Sequence, residues 1–285
     1  MSIVVTGAGG HLGRLVVEEL LGRGVPAEQI VATTRRVEAL DDLAARGVQV
    51  RHADFDAPET LAAAFAGAEK VLIVSGTDFG RRVAQHTAAA AAAQQAGAGL
   101  VVYTSAPYAD TTSMQLAAEH AGTEAAIRAL GVPFTFLRNS WYFENYTPQI
   151  PAYLEHGAVF GAAGDGRISG AARADYAAAA AAVLAGEGHQ GKVYELGGDQ
   201  SFTLGELAAA VADVSGKPVE YRDLPAEELI KVLEGAGFPP PVAAVFADVD
   251  TSIAKGLLFV DSGDLSRLIG RPTTALRTAV ESALR

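Results

Sequence analysis

Short apolar runs alternate with amphipathic or alanine-rich stretches along the first half of the chain, and each run has the length of one buried strand. Ile3-Val4-Val5 is followed by a helical pattern over about His11 to Arg23, and Gln29 to Arg36 is a β-branched run that ends in two cations. Val48 to Phe55 reads as the third strand, and Val71 to Gly76 as a fourth that is apolar enough to be central. Arg82 to Ala96 and Ala177 to Ala185 are rich in alanine, the strongest helix former, whose small side chain lets a helix lie close on a sheet. Leu100 to Ser105 makes a fifth strand. Gly131 stops a helix before a sixth strand that reaches Asn139, and Val193 to Leu196 returns as a late strand. Alternation of this kind from residue 1 to about 139 predicts an α/β fold with a doubly wound parallel sheet.

The turn between the first strand and the first helix reads Thr6-Gly7-Ala8-Gly9-Gly10-His11-Leu12-Gly13. Gly7 supplies the tight turn, Gly10 lets backbone approach a pyrophosphate, and Gly13 lets the helix pack closely. Free N–H groups and the positive end of the helix dipole then face the anion. The sheet is therefore expected to be of Rossmann type. A dinucleotide-binding domain over 1–140, with a return strand near 192–197, would precede a smaller, mostly C-terminal substrate lobe over 141–285.

In such sheets ligands bind outside the carboxyl ends of the strands. Those ends carry Arg35 and Arg36 on the second strand, Asp54 and Phe55 on the third, and Ser75 and Gly76 on the fourth. An acid at the second position would bind the ribose hydroxyl of NAD; the cations favour the 2′-phosphate of NADPH, with a solvated basic loop as the plain alternative. Asp54 reads equally as an acceptor for an adenine amine or as a cap for the segment after it.

From Trp141 to Phe160 the composition shifts, with Trp141, Tyr142, Phe143, Tyr146, Tyr153 and Phe160 in one short stretch. Such density marks a pocket wall, an interface or ordinary core, and following the sixth strand it would overhang the nicotinamide end of a cofactor. Gly235 to Pro241, with Phe238 inside it, is a stiff turn suited to a pocket rim. A formal charge of −11 excludes the basic footprint that nucleic acid or an anionic membrane would need. Cysteine is absent, which removes disulfide and thiolate chemistry. There is no basic-then-apolar leader and no apolar run of membrane-spanning length, so a cytoplasmic protein acting on a small molecule is expected. Monomer and homodimer are both open.

Candidate chemistry narrows further. Ordinary short-chain dehydrogenases protonate an alkoxide with a tyrosine activated by a lysine four residues on, and no tyrosine here has one. The histidines show no metal-ligand spacing, and His120 with Glu119 and Glu124 is expected on a solvated helix face. Ser105 ends a strand as a nucleophile might, without the G-x-S-x-G elbow.

The opening Val5-Thr6-Gly7-Ala8-Gly9-Gly10-His11-Leu12-Gly13, the block Phe136 to Tyr146, Gly161 to Gly166 and Leu268 to Thr274 together resemble the NmrA-like, atypical short-chain dehydrogenase/reductase family, in particular its NADPH-dependent quinone oxidoreductases and triphenylmethane reductases. The resemblance implies NADPH-dependent reduction of quinones or similar conjugated acceptors. It assigns cofactor contacts to Gly7, Gly9, Gly10, His11, Leu12, Gly13, Arg35, Val74, Ser75, Gly76, Asn139, Ser140, Trp141, Tyr142 and Phe143. Tyr142, Phe143 and Asn145 would border the substrate, with Phe238 as a rim residue. A missing general acid suits such acceptors, because hydride addition to a quinone leaves a phenolate-like anion whose conjugate acid has a pKa of roughly 10. Tyr142 or Asn139 would at most donate a hydrogen bond to it. The other reading is a non-catalytic NADP(H)-binding redox sensor of the NmrA type.

Overall fold

The structure, a computed structural model, describes residues 2–285. Its nine strands are β1 (Ile3–Val5), β2 (Ile30–Thr34), β3 (Gln49–His52), β4 (Lys70–Ile73), β5 (Leu100–Ser105), β6 (Phe134–Asn139), β7 (Ala158–Gly161), β8 (Lys192–Leu196) and β9 (Glu220–Asp223). Seven form one sheet in the order β3-β2-β1-β4-β5-β6-β8, parallel at every pairing from β3 to β6. The order reverses at β1, which pairs with both β2 and β4. A doubly wound sheet opens a crevice for ligands at such a switch point. No helix among the described residues is long and apolar enough to cross a membrane.

By internal contacts the chain falls into two compact units, one of residues 1–106, 119–139 and 174–194, the other of 107–118, 140–173 and 195–285. In the first unit Val4, Val71, Ile73, Val101, Tyr103 and Phe136 share one core cluster with Ala89, Ala90 and Ala93 of the helix Arg82–Gln95. Alternating strand residues thus meet the alanine stripe, whose missing side-chain bulk allows close approach. The helix His11–Gly22 buries Leu12, Gly13, Val16, Val17 and Leu20 and packs on β1 and β2. The second unit holds the parallel pair β7 and β9. β9 is Glu-Tyr-Arg-Asp, mostly exposed, and carries no apolar period by which to find it in the sequence.

Several strands stop short of the apolar runs that predict them. β4 ends at Ile73 rather than Gly76, because Val74, Ser75 and Gly76 give their N–H groups to side chains instead of to a neighbouring strand.

At the carboxyl ends of β5 and β6 lies a buried ion pair. Arg138 clamps Glu124 through Nε to Oε1 (2.9 Å) and Nη2 to Oε2 (2.6 Å), and Ser105 Oγ donates to the same Oε1 at 2.7 Å. Both charged side chains are about 95% buried. Removing one member leaves the other charge buried alone, so Arg138→Leu is expected to destabilise the fold by about 3–5 kcal/mol in denaturant titration. Glu124→Gln, which keeps a hydrogen-bonding oxygen, is expected to cost less.

Candidate functional site

The glycine turn is built as its spacing implies, with a distinct reason for each glycine. Gly7 has φ +62°, left-handed backbone that a side chain would strain. A Cβ on Gly13 would stand 2.5 Å from the Gly7 carbonyl oxygen, so the helix touches the turn itself. A Cβ on Gly9 would meet Thr34 Oγ1 at 2.6 Å, which seats the turn against the end of β2. A Cβ on Gly10 would meet only the Gly7 carbonyl oxygen, at 3.3 Å, so the chain itself comes near to accommodating one. Gly7, Gly9, Gly10 and His11 are exposed, while Leu12 and Gly13 are buried. Arg14 N is the first N–H of the helix to find a carbonyl, that of Gly10. The N–H groups of His11, Leu12 and Gly13 have no acceptor among the described residues and, with the helix dipole, form a place for an anion.

Arg35 and Arg36 follow β2, exposed, and among the described residues their guanidinium groups make no hydrogen bond or ion pair. The other cations of this region are engaged. Arg14 pairs with Asp42, and Arg51 donates to the Ala64 and Ala66 carbonyls at 3.0 Å each. Arg35 lies close enough to Asp56 to help hold that carboxyl below its usual range, after the larger effects of Gln85 and Arg81. Asp54 accepts from Asp56 N at 3.0 Å, while Thr60 Oγ1 receives its own N–H. Phe55 sets its ring edge-on to His86, with centroids 6.0 Å apart.

The end of β4 holds what the sequence did not reveal. Val74 N donates to Thr6 Oγ1 (3.0 Å), Ser75 N to Thr104 Oγ1 (2.9 Å) and Gly76 N to His86 Nε2 (3.0 Å), while Gly76 O accepts from Arg82 Nε (2.7 Å). Behind them Arg82 Nη1 faces His120 Nε2 (3.4 Å), His120 Nδ1 meets Tyr103 Oη (2.8 Å), and His86 Nδ1 meets Thr123 Oγ1 (3.3 Å). His120 is 5% exposed and Glu124 3%, so the expected solvated face is instead a buried polar one. The signal lay in the period. His120, Thr123, Glu124 and Ile127 fall on one helix stripe, as Arg82, His86, Ala89 and Ala93 do on another.

The aromatic block belongs to the second unit and divides in two. Phe143, Tyr146 and Tyr153 are buried, with Phe143 (2% exposed) and Tyr146 both packed on Phe202. The Phe143 ring is thus part of the core of this unit. Trp141, Tyr142 and Phe160 are half-buried. The Arg173 guanidinium lies 5.2 Å from the centre of the Tyr142 ring, and the Glu144 carboxylate accepts from Arg173 N at 3.0 Å. Ser140 is buried, its Oγ donating to the Leu258 carbonyl, and Asn139, at the end of β6, is buried too. Asn145 is half-buried, and Phe238 packs edge-on to Phe246.

The NmrA-like family model matches residues 1–262. The chain belongs to this family. It is 47% identical over 278 residues to quinone oxidoreductase 2 of Escherichia coli, an alignment spanning 98% of this chain and 97% of that one. The crystal structure of the Escherichia coli NADPH-dependent quinone oxidoreductase complexed with NADPH superposes with a TM-score of 0.96 at 46% identity, covering 99% of this chain and all of that one. The triphenylmethane reductase of Citrobacter sp. complexed with NADP(H) gives 0.93 at 40% identity, with 99% of this chain and 100% of that one covered.

Burial and the Arg82 charge draw His86 down to about 4, and burial, then Arg82 and His86, draw His120 down to about 3. Both rings stay neutral in the folded chain, while the unfolded chain takes up protons below about 6.5. Stability is therefore lost as pH falls from about 6.5 towards 4. Asp250, raised by burial to about 6, acts the other way over part of this window. Melting curves between pH 6.5 and 4.5 are expected to shift to lower temperature, and His86→Gln is expected to flatten the dependence.

Proposed function

We propose that this chain is an NADPH-dependent reductase of quinones and similar conjugated acceptors. The observation that carries the reading is the anion cradle of exposed Gly7, Gly9 and Gly10, set against the end of β2, where the exposed Arg35 and Arg36 guanidinium groups make no hydrogen bond or ion pair among the described residues. A pyrophosphate fits the first and the 2′-phosphate of NADPH fits the second. The backbone of Val74 to Gly76, at the switch-point side of β4, supplies a further contact. The nearly full-length likeness to a quinone oxidoreductase whose structure holds NADPH supports the same reading.

When bound, the nicotinamide supplies the hydride; the residues of the chain bind, orient and exclude water. Because no tyrosine has a lysine four residues on, no such pair is available to give a proton to a basic alkoxide. A quinone does not need one, since the anion it forms is about as basic as tyrosinate and takes its proton from water. Tyr142 and Asn145 are the acceptor-side residues we assign, with Asn139 a further hydrogen-bond donor. The guanidinium over the Tyr142 ring favours negative charge developing close to that hydroxyl.

Steady-state NADPH oxidation against a panel of quinones tests the reading directly; tight NADPH binding without turnover of any acceptor would instead make the chain a sensor. A hydrogen bond to a charged group is worth about 1.5–3 kcal/mol, so Arg35 on the 2′-phosphate predicts a preference for NADPH over NADH of roughly 10- to 100-fold in kcat/KM. Arg35→Ala is expected to remove most of that preference by weakening NADPH alone. An equal ratio in the two proteins would move the phosphate contact elsewhere.

The aromatic block generates a contrast. Tyr142→Phe is expected to lower kcat for quinone reduction by about tenfold with little change in melting temperature, as loss of one donor to an anion requires. Phe143→Ala is expected to lower the melting temperature by several degrees, because truncating a buried phenylalanine costs about 3–5 kcal/mol.

A further inference from the structure

Three successive N–H groups beyond β4 find acceptors on three different elements: Thr6 at the end of β1, Thr104 in β5 and His86 in the helix Arg82–Gln95. Strand ends at a ligand crevice ordinarily leave such groups to water or to the ligand. Here they are all turned inward. No N–H of Val74 to Gly76 is therefore left for a ligand, and the peptide planes of this backbone are already fixed.

The fixing continues inward. His86 Nε2 receives the Gly76 N–H and His120 Nε2 faces Arg82 Nη1, so each ring is a neutral acceptor on that side, with its proton on Nδ1. Those Nδ1–H groups point to Thr123 Oγ1 and Tyr103 Oη. Arg82 Nε then returns to the Gly76 carbonyl. Gly76 is thus held at both its N–H and its C=O by two side chains one helical turn apart. Burying Arg82, Gln85 and His86 on the inner face of an otherwise alanine-lined helix is unfavourable for stability alone, since apolar residues would cost less desolvation.

Gly76 itself is half-buried. A Cβ there would meet only His86 Nε2 at 3.8 Å and Gln85 Oε1 at 3.9 Å, ordinary contact distances, and its φ is not positive. Nothing inside the protein requires glycine at this position.

We propose that Thr104, His86 and Arg82 are positioning residues for the dinucleotide, acting through the Val74–Gly76 backbone that they hold. The proposal rests on the reading of this strand end as a cofactor contact. Thr104→Val removes the acceptor for Ser75 N while keeping the shape, and Thr104→Ser keeps the acceptor. His86→Phe and His86→Gln form the same contrast for Gly76 N. Fluorescence titration with NADPH is expected to give a Kd about tenfold weaker in Thr104→Val and His86→Phe, the loss of one buried hydrogen bond transmitted to the ligand. Recovery to within about threefold of wild type is expected in Thr104→Ser and His86→Gln, with the KM for quinone unchanged throughout. Gly76→Ala is expected to melt as wild type does and to bind NADPH more weakly.

Gly10→Val, measured alongside, separates the two ideas. If it leaves NADPH affinity intact, the cofactor site itself is misplaced. If Gly10→Val weakens binding but Thr104→Val and His86→Phe bind as wild type, even with lowered melting temperatures, the residues are merely structural and the proposal is overturned. Should His86→Phe fail to fold, the near-isosteric Thr104→Val decides alone.

Discussion

The constraint on which this structure depends is the accounting of backbone polar groups where parallel strands end. Every strand of the main sheet must release its last N–H and C=O groups somewhere, and a ligand crevice forbids covering them with more sheet. Different strands meet this in different ways. β1 turns into a helix whose first N–H groups, those of His11 to Gly13, stay open for an anion. β4 hands its groups to side chains of three other elements. At the ends of β5 and β6 it is the side chains of Ser105 and Arg138 that are satisfied, by sharing the Glu124 carboxylate. Arg82, His86, His120, Thr123, Glu124 and Arg138 are buried polar residues linked to these ends, and Ala89, Ala90 and Ala93 supply the dry packing of the helix that carries Arg82 and His86.

How much of this was legible follows from where the information lies. β1, β2, β4, β5 and β6 are apolar runs whose length and spacing declare them, and the glycine turn declares its helix. The end of β4 was overrun because Val74, Ser75 and Gly76 continue the run in composition while their hydrogen bonds leave the sheet. β9 was invisible because a polar, exposed strand owes its existence to its partner β7 and not to its own pattern. His120 and Glu124 misled because charge in a helix suggests solvent, yet their spacing to Ile127 placed them inward all along.

The candidate site divides along the same line. Positions whose job is done by backbone, such as Gly7 and Gly13, can be read from residue type, since only glycine suits them. The cations after β2 are exposed and make no side-chain hydrogen bond or ion pair among the described residues, although Asp56 lies close enough to feel the Arg35 charge. The aromatic block was not readable in this way, since a phenylalanine in a pocket wall and one in a core look alike until Phe202, almost sixty residues away in sequence, is seen against Phe143. Long-range partners are what a linear pattern lacks.

Gly13 sets local preference against global use. Alanine in place of glycine inside a helix ordinarily adds about 1 kcal/mol of helix stability. At this position the added methyl would press on the Gly7 carbonyl, the hinge of the turn. A chain selected for the stiffest first helix would therefore lose the shape in front of it. The residue worst suited to a helix is kept inside one, and the weakness it brings is the room in which the turn closes.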